Sequence, residues 1–456
     1  MHRTGRSRRP WLAARVALVI AVAVIGHPAG AWSNHALGTW PALAAMPELR
    51  AVVPVKAERL ETFLAAEARA VAELLRAEEQ WARQNVPSYP PRPVALAFSA
   101  ERGSPDELLK RFVAAVRIHP QARLALFVQL PPGQGAAGRA TWRESDVTLL
   151  KSTESTKFNI FVAVGEGEPV PVIDVIASAT DEPDYGLDIG LWQDNGTAHG
   201  TVYGFGRQPF GNPKIEFGSQ APLHIGFFHE PAIAYVAAPF LRRTLPEYRI
   251  HLWDSLAALA LRTGHPYWGW RFAGWAMHYL QDLTQPYHAR VLPGVGVAGM
   301  LWINTLDLAG IHRPKADAIA LVTNRHLALE NYQLRWLRDA YLRNERSDAA
   351  LEALGDTSRD ARTSYASDVP RRLIARAASD AADATDAALV THLPAKYTSD
   401  PDYVFGVTET GLDLYVEVAK SGPAPRRAMA ETVAPLLASF GTYSRAYVRA
   451  LLAAGR

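Results

Sequence analysis

Apolar positions recur at helical spacing over most of the chain. Between Pro54 and Gln84, residues Leu60, Phe63, Leu64, Val71, Leu74 and Leu75 follow a 3.6-residue period and predict an amphipathic helix. The run Val86-Pro-Ser-Tyr-Pro-Pro-Arg-Pro93 must end it, because proline lacks the amide donor and clashes with the preceding turn. Asp106 to Val116 predicts a short helix, while Leu124–Leu130 and Phe158–Val164 are short apolar runs of strand character. Residues 180–231 show little periodicity and many Gly, Pro, Asp and aromatic residues, an irregular region of the kind that carries function. From Ile250 onward the pattern is helical again. Arg271 to Leu283 is apolar almost all round and predicts a buried helix, and 314–342, 348–392 and 427–453 predict further helices. Gly294 to Ile311 is unusually apolar and suits either a buried core helix or a surface that meets an acyl chain or membrane. The pattern predicts a mainly α protein with a small α/β insertion at about 90–180.

Composition changes this picture in two places. The 456 residues include 48 Lys+Arg and 45 Asp+Glu, a net charge of +3. Arg3, Arg6, Arg8, Arg9 and Arg15 lie within residues 1–31, which hold no acid, so the remainder has 43 basic and 45 acidic groups, net −2. A basic start, an apolar run from Val16 to Gly26 and the small residues Ala29-Gly30-Ala31 form the pattern of an export signal. Ser7-Arg8-Arg9-Pro10-Trp11-Leu12 resembles a twin-arginine export motif. The expected product is therefore periplasmic or secreted, with residues 32–456 as a single domain. The absence of cysteine excludes disulfides, thiol nucleophiles and thiolate–metal sites, leaving His, Asp, Glu and backbone as ligands.

Those ligand types cluster. His278 and Asp282 stand four apart on the buried helix, so both project from one face. Pro286 should stop that helix and bring His288 back over its end. His326 and Glu330 form a second pair at the same spacing. A buried His with a buried Asp needs partners, and a metal ion is an economical one. Cleavage after Ala31 would expose the α-amine of Trp32, a ligand once deprotonated, with His35 three residues on. Neither a Gly-rich phosphate loop nor a Gly-x-Ser-x-Gly nucleophile elbow is present.

The segment His278-Tyr-Leu-Gln-Asp282-Leu-Thr-Gln-Pro-Tyr-His288 fits the pattern H-Y-L-x-D-x-x-Q-P-x-H without a gap. In this the chain resembles the zinc-dependent phospholipase C and single-strand nuclease superfamily. The resemblance implies a multi-helix fold of that type and three Zn2+ ions. One ion would take Asp184, His224, His278 and one oxygen of Asp282. A second would take His288, His326 and Glu330, and a third Trp32, His35 and the other oxygen of Asp282. His229 is the rival to His224. Asp184 would also accept the proton of the attacking water, with Tyr185 beside it facing the substrate, and Asp188 would serve either as a supporting carboxylate or as a helix cap. The spacings Asp184–His224 and His288–His326 are longer than the family's and imply a remodelled pocket rim.

Zinc held by N and O ligands remains a strong Lewis acid, so the implied reaction is hydrolysis of a phosphodiester. Glu330 and Ala289, which follows His288, resemble the phospholipase branch more than the nuclease branch. The net −2 beyond residue 31 offers no polycationic stripe, so no specific binding of duplex nucleic acid is expected. The expected partner is a phospholipid or other phosphodiester, with membrane-surface contact through 294–311. A single-strand nuclease or nucleotidase, and a non-catalytic exported metal-binding protein, are the competing expectations.

Overall fold

The axis of the molecule is a helix that has almost no polar face. In the computed structural model, which describes residues 34–151, 156–214, 216–345, 347–405 and 408–454, every residue from Tyr267 to Asp282 is buried. The expected leader and Trp32 lie outside the described residues.

The chain is mainly helical with a small sheet region. The helices that matter below are α1 (His35–Ala44), α2 (Leu60–Asn85), α3 (Pro105–Val116), α4 (Val172–Thr180) and α5 (Glu216–His224). They continue with α6 (Ala232–Ala237), α7 (Pro246–Arg262), α8 (Pro266–Asp282), α9 (Pro286–Ala289) and α10 (Val297–Leu308). The last are α11 (Arg313–Arg343), α12 (Arg376–His392) and α13 (Pro423–Ala454). Strand β1 (Val55–Lys56) pairs antiparallel with β5 (Pro169–Val170). Strands β2 (Phe127–Leu130), β3 (Thr141–Trp142) and β4 (Ile160–Ala163) form an antiparallel sheet in the order β2-β4-β3. The α/β region expected at about 90–180 thus contains the three-stranded sheet.

Two expectations need correction. The helix predicted over 348–392 is interrupted: Ala349–Gly355 ends before a turn stapled by Asp356 and Ser358, a single 3-10 turn covers Asp360–Arg362, and longer helical structure resumes at Pro370. The core-helix alternative for 294–311 also fails. Of α10 only Met300 is buried, and Trp302 is 63% exposed.

Glycine sets one contact that positions the site. A Cβ on Gly274 of α8 would lie 2.5 Å from the Cβ of Ala179 and 2.8 Å from the carbonyl oxygen of Ile176, both in α4. Only a residue without a side chain lets α4 come this close, and the approach brings the carbonyl of Thr180 to His278. Gly274→Val is expected to cost about 1–3 kcal/mol through forced displacement of α4, seen as a lower urea midpoint. An unchanged midpoint would show that α4 does not rest on this glycine.

Candidate metal centre

Five helices and one turn carry the site. His278 and Asp282 sit one turn apart on α8, and Pro286 starts α9 so that His288 faces Asp282. His35 opens α1, His224 closes α5, and His326 and Glu330 lie one turn apart on α11. Asp184 lies in the π-type turn Pro183–Leu187. Its neighbour Glu182 anchors that turn: its carboxylate accepts from Arg271 Nε at 2.9 Å and from Trp275 Nε1 at 3.0 Å, both buried on α8.

The two oxygens of Asp282 face different histidines. Oδ2 lies 2.9 Å from His224 Nδ1 and 3.3 Å from His278 Nε2. Oδ1 lies 3.5 Å from both His35 Nε2 and His288 Nδ1. Asp184 Oδ1 is 3.8 Å from His224 Nδ1 and from His278 Nε2. On the far side, His326 Nε2 is 2.6 Å from Glu330 Oε1 and 3.1 Å from His288 Nε2. The structure therefore gathers eight of the nine residues proposed as ligands, the ninth being Trp32. It leaves His229 outside, where its Nε2–H donates to the carbonyl of Arg371 at 2.8 Å.

The surrounding groups aim the rings. His278 Nδ1–H donates to Thr180 O at 2.7 Å, leaving the Nε2 lone pair for the cluster. His35 Nδ1–H donates to Gln281 Oε1 at 2.9 Å, and the Gln281 amide is itself fixed by donating to Thr39 Oγ1 and Ser444 Oγ. Asp188 faces His224 Nε2 at 3.3 Å while accepting from Arg249 at 2.6 Å and Tyr279 OH at 2.7 Å. It is a supporting carboxylate, the first of its two sequence readings, and holds His224 with Nδ1 toward the cluster. Such carboxylate–imidazole pairing is the usual device for orienting metal ligands.

With these donors committed outward, His278 Nε2, His224 Nδ1, Asp282 Oδ2 and Asp184 Oδ1 crowd together, each within 3.8 Å of a neighbour. Several buried atoms have no hydrogen-bond partner: His35 Nε2, Asp282 Oδ1, His288 Nδ1 and Glu330 Oε2. Unpaired buried acceptors are costly, and a cation is the group that satisfies all of them. The sets His35–Asp184–His278, His224–His278–Asp282 and His288–His326–Glu330 can each hold a metal ion. His35 thus meets Asp184 and His278 as well as Asp282.

Charge is redistributed accordingly. Burial alone would raise Asp282, but His278 and hydrogen bonds from the surrounding imidazoles hold its carboxyl well below the usual range. Burial pushes Asp184 up to about 8, against the opposing pull of His224 and His35. Burial also lowers His278 to about 4, helped by His35, whereas His224 is raised to about 10 because Asp188 and Asp282 outweigh its burial. A bound cation would take over the demand for positive charge that His224 now meets with a proton.

Tyr185 departs from its sequence reading. Its ring is buried against Phe161, and its hydroxyl donates to Gln129 Oε1 and contacts Asp181 Oδ2 at 3.2 Å. It braces the sheet against the Asp184 turn instead of facing a substrate. Sequence reasoning missed Asp181, which joins that brace to α1 by accepting from the amide of Ala36 at 3.2 Å. It also gave no role to Gln281, although that residue lies inside the eleven-residue segment. His251, His265 and His312, outside the expected ligand set, pair with Glu78, Glu58 and Asp307 respectively. Among the described residues no helix is long and apolar enough to cross a membrane. Comparison of the chain with protein-family models, curated proteins and solved structures found no match.

Proposed function

We propose that the chain is an exported, zinc-dependent phosphodiester hydrolase of phospholipase C type. The carrying observation is Asp282: a fully buried carboxylate whose two oxygens face separate pairs of histidines, as a ligand shared between ions must. His35, Asp184, His224, His278, Asp282, His288, His326 and Glu330, with Trp32 as the expected ninth ligand, would hold up to three Zn2+. All-N/O zinc of this kind supplies Lewis acidity toward phosphoryl oxygens and an activated water near neutral pH.

The protein's own groups bind and move protons around that chemistry. Of the eight described ligand candidates, His326 and Asp184 keep the most exposed side chains, 19% and 11%, so substrate approaches from their side. Asp184, in its ionised form and made more basic by burial, would accept the proton released when water attacks phosphorus. Asp188 and Gln281 keep His224 and His35 in their tautomers. The net −2 beyond residue 31 and the apolar segment 294–311 favour a lipid over a long polyanion.

Protein produced from Trp32 onward is expected to retain zinc by elemental analysis and to hydrolyse phosphatidylcholine rather than single-stranded DNA. Cleavage of DNA instead would make it a nuclease. Zinc retention with no turnover of either would make it a metal-binding protein. Absence of zinc would overturn the proposal.

A further inference from the structure

A cavity with about 230 Å³ of open space adjoins the cluster, and His326 belongs to both. Its other walls are mostly apolar. Phe217 and Ala221 of α5, Ala237 of α6, Met300 of α10, and Ala318 and Val322 of α11 are among its lining residues. Few polar groups reach it: Lys315 Nζ pairs with Asp307 at 2.7 Å, and Asn304 Nδ2 donates to Met300 O at 2.8 Å while Asn304 Oδ1 has no partner. A polar ligand would lose its hydration here and gain little in return, whereas hydrocarbon gains from leaving water.

The mouth can be located. Ile233 and Leu301 line the cavity and are also 42% and 41% exposed. Beside them Val236 and Trp302 stand out at 74% and 63% exposure. Large apolar side chains left in water around an apolar cavity mark a binding entrance.

We infer that this cavity holds one hydrocarbon tail of a phosphoester substrate, entering between α6 and α10, with the ester's phosphate at the His326 end. The word substrate rests on the proposed hydrolase; the tail site itself does not. Each methylene buried is worth up to about fourfold in affinity. Titration calorimetry on the zinc-loaded protein, with butyl- and decylphosphocholine below their micelle concentrations, tests it. The decyl compound is expected to bind at least about tenfold more tightly than the butyl compound. Ala318→Trp on α11 and Ala237→Phe on α6, which both fill the cavity, are expected to erase that difference while keeping wild-type zinc content and circular dichroism. Equal affinity of the two chain lengths in the wild type, or a difference surviving both substitutions in folded protein, would overturn the inference. Failure of the hydrolase reading appears separately: the decyl compound would still bind more tightly but release no phosphocholine.

Discussion

Asp282→Asn is expected to remove bound metal and activity together. The substitution keeps the shape but deletes the charge, and turns one of two acceptor oxygens into an NH₂ aimed at imidazole nitrogens. Both oxygens are in use: one lies 2.9 Å from His224, the other 3.5 Å from His35 and His288. A loss on the order of 10³-fold in kcat/KM, equivalent to about 4 kcal/mol, should accompany a fall in zinc content. An active, zinc-replete Asn variant would sink the idea that Asp282 is shared between ions. The metal-free wild type is the control, because it should resemble the variant in activity and not in charge.

The largest stability effect is expected from Arg249→Met. Arg249 is wholly buried and donates to Asp188 at 2.6 Å and to the carbonyls of Val116 and Arg117. Burial by itself would raise the Asp188 pKa, but the guanidinium overrides this and holds it at about 2. A carboxyl depressed below its unfolded value contributes stability above that value and loses it as pH falls toward the folded one. Without Arg249 the buried carboxylate has lost its cation, at a cost of about 3–5 kcal/mol near neutral pH. Its pKa should rise, so the deficit should shrink as Asp188 protonates on acidification to about pH 4. Adding Asp188→Leu should recover part of the stability without restoring metal affinity, since His224 loses its orienting partner and affinity drops about 10–100-fold. Denaturant melts at the two pH values decide this; a deficit independent of pH would place the energy elsewhere.

The helical framework was legible because its signal is local. Leu60, Phe63, Leu64 and Val71 are all buried on α2, as their spacing predicts, and the eleven-residue segment announced both His278 with Asp282 and the returning His288. What escaped depends on distant partners. His224 and His229 are five residues apart and chemically equal; the difference is that His229 meets Arg371, 142 positions away. Tyr185 reads in sequence as a binding residue beside Asp184, but Gln129, 56 positions away, and Asp181 occupy its hydroxyl. The apolar character of 294–311 was evident, but hydropathy cannot distinguish a helix covered by neighbours from one that flanks a cavity. The two long spacings did carry information: between Asp184 and His224 lie Phe210 and Phe217, and between His288 and His326 lie Met300 and Ile319, all in the cavity wall.

The Gln281 amide has a consequence for how the molecule is made. It grips His35 from 246 positions away and Ser444 from 163 away, so one side chain in the middle of the chain ties together groups near both ends of the described structure. Contacts of such separation form late, because the intervening chain must first be ordered. During synthesis the His35 ring cannot be fully braced until Ser444 has emerged. A cation that requires a braced His35 would therefore bind only after the Ser444 segment has been ordered. Refolding in the presence and absence of zinc should accordingly show the same early rates and differ only in the last phase.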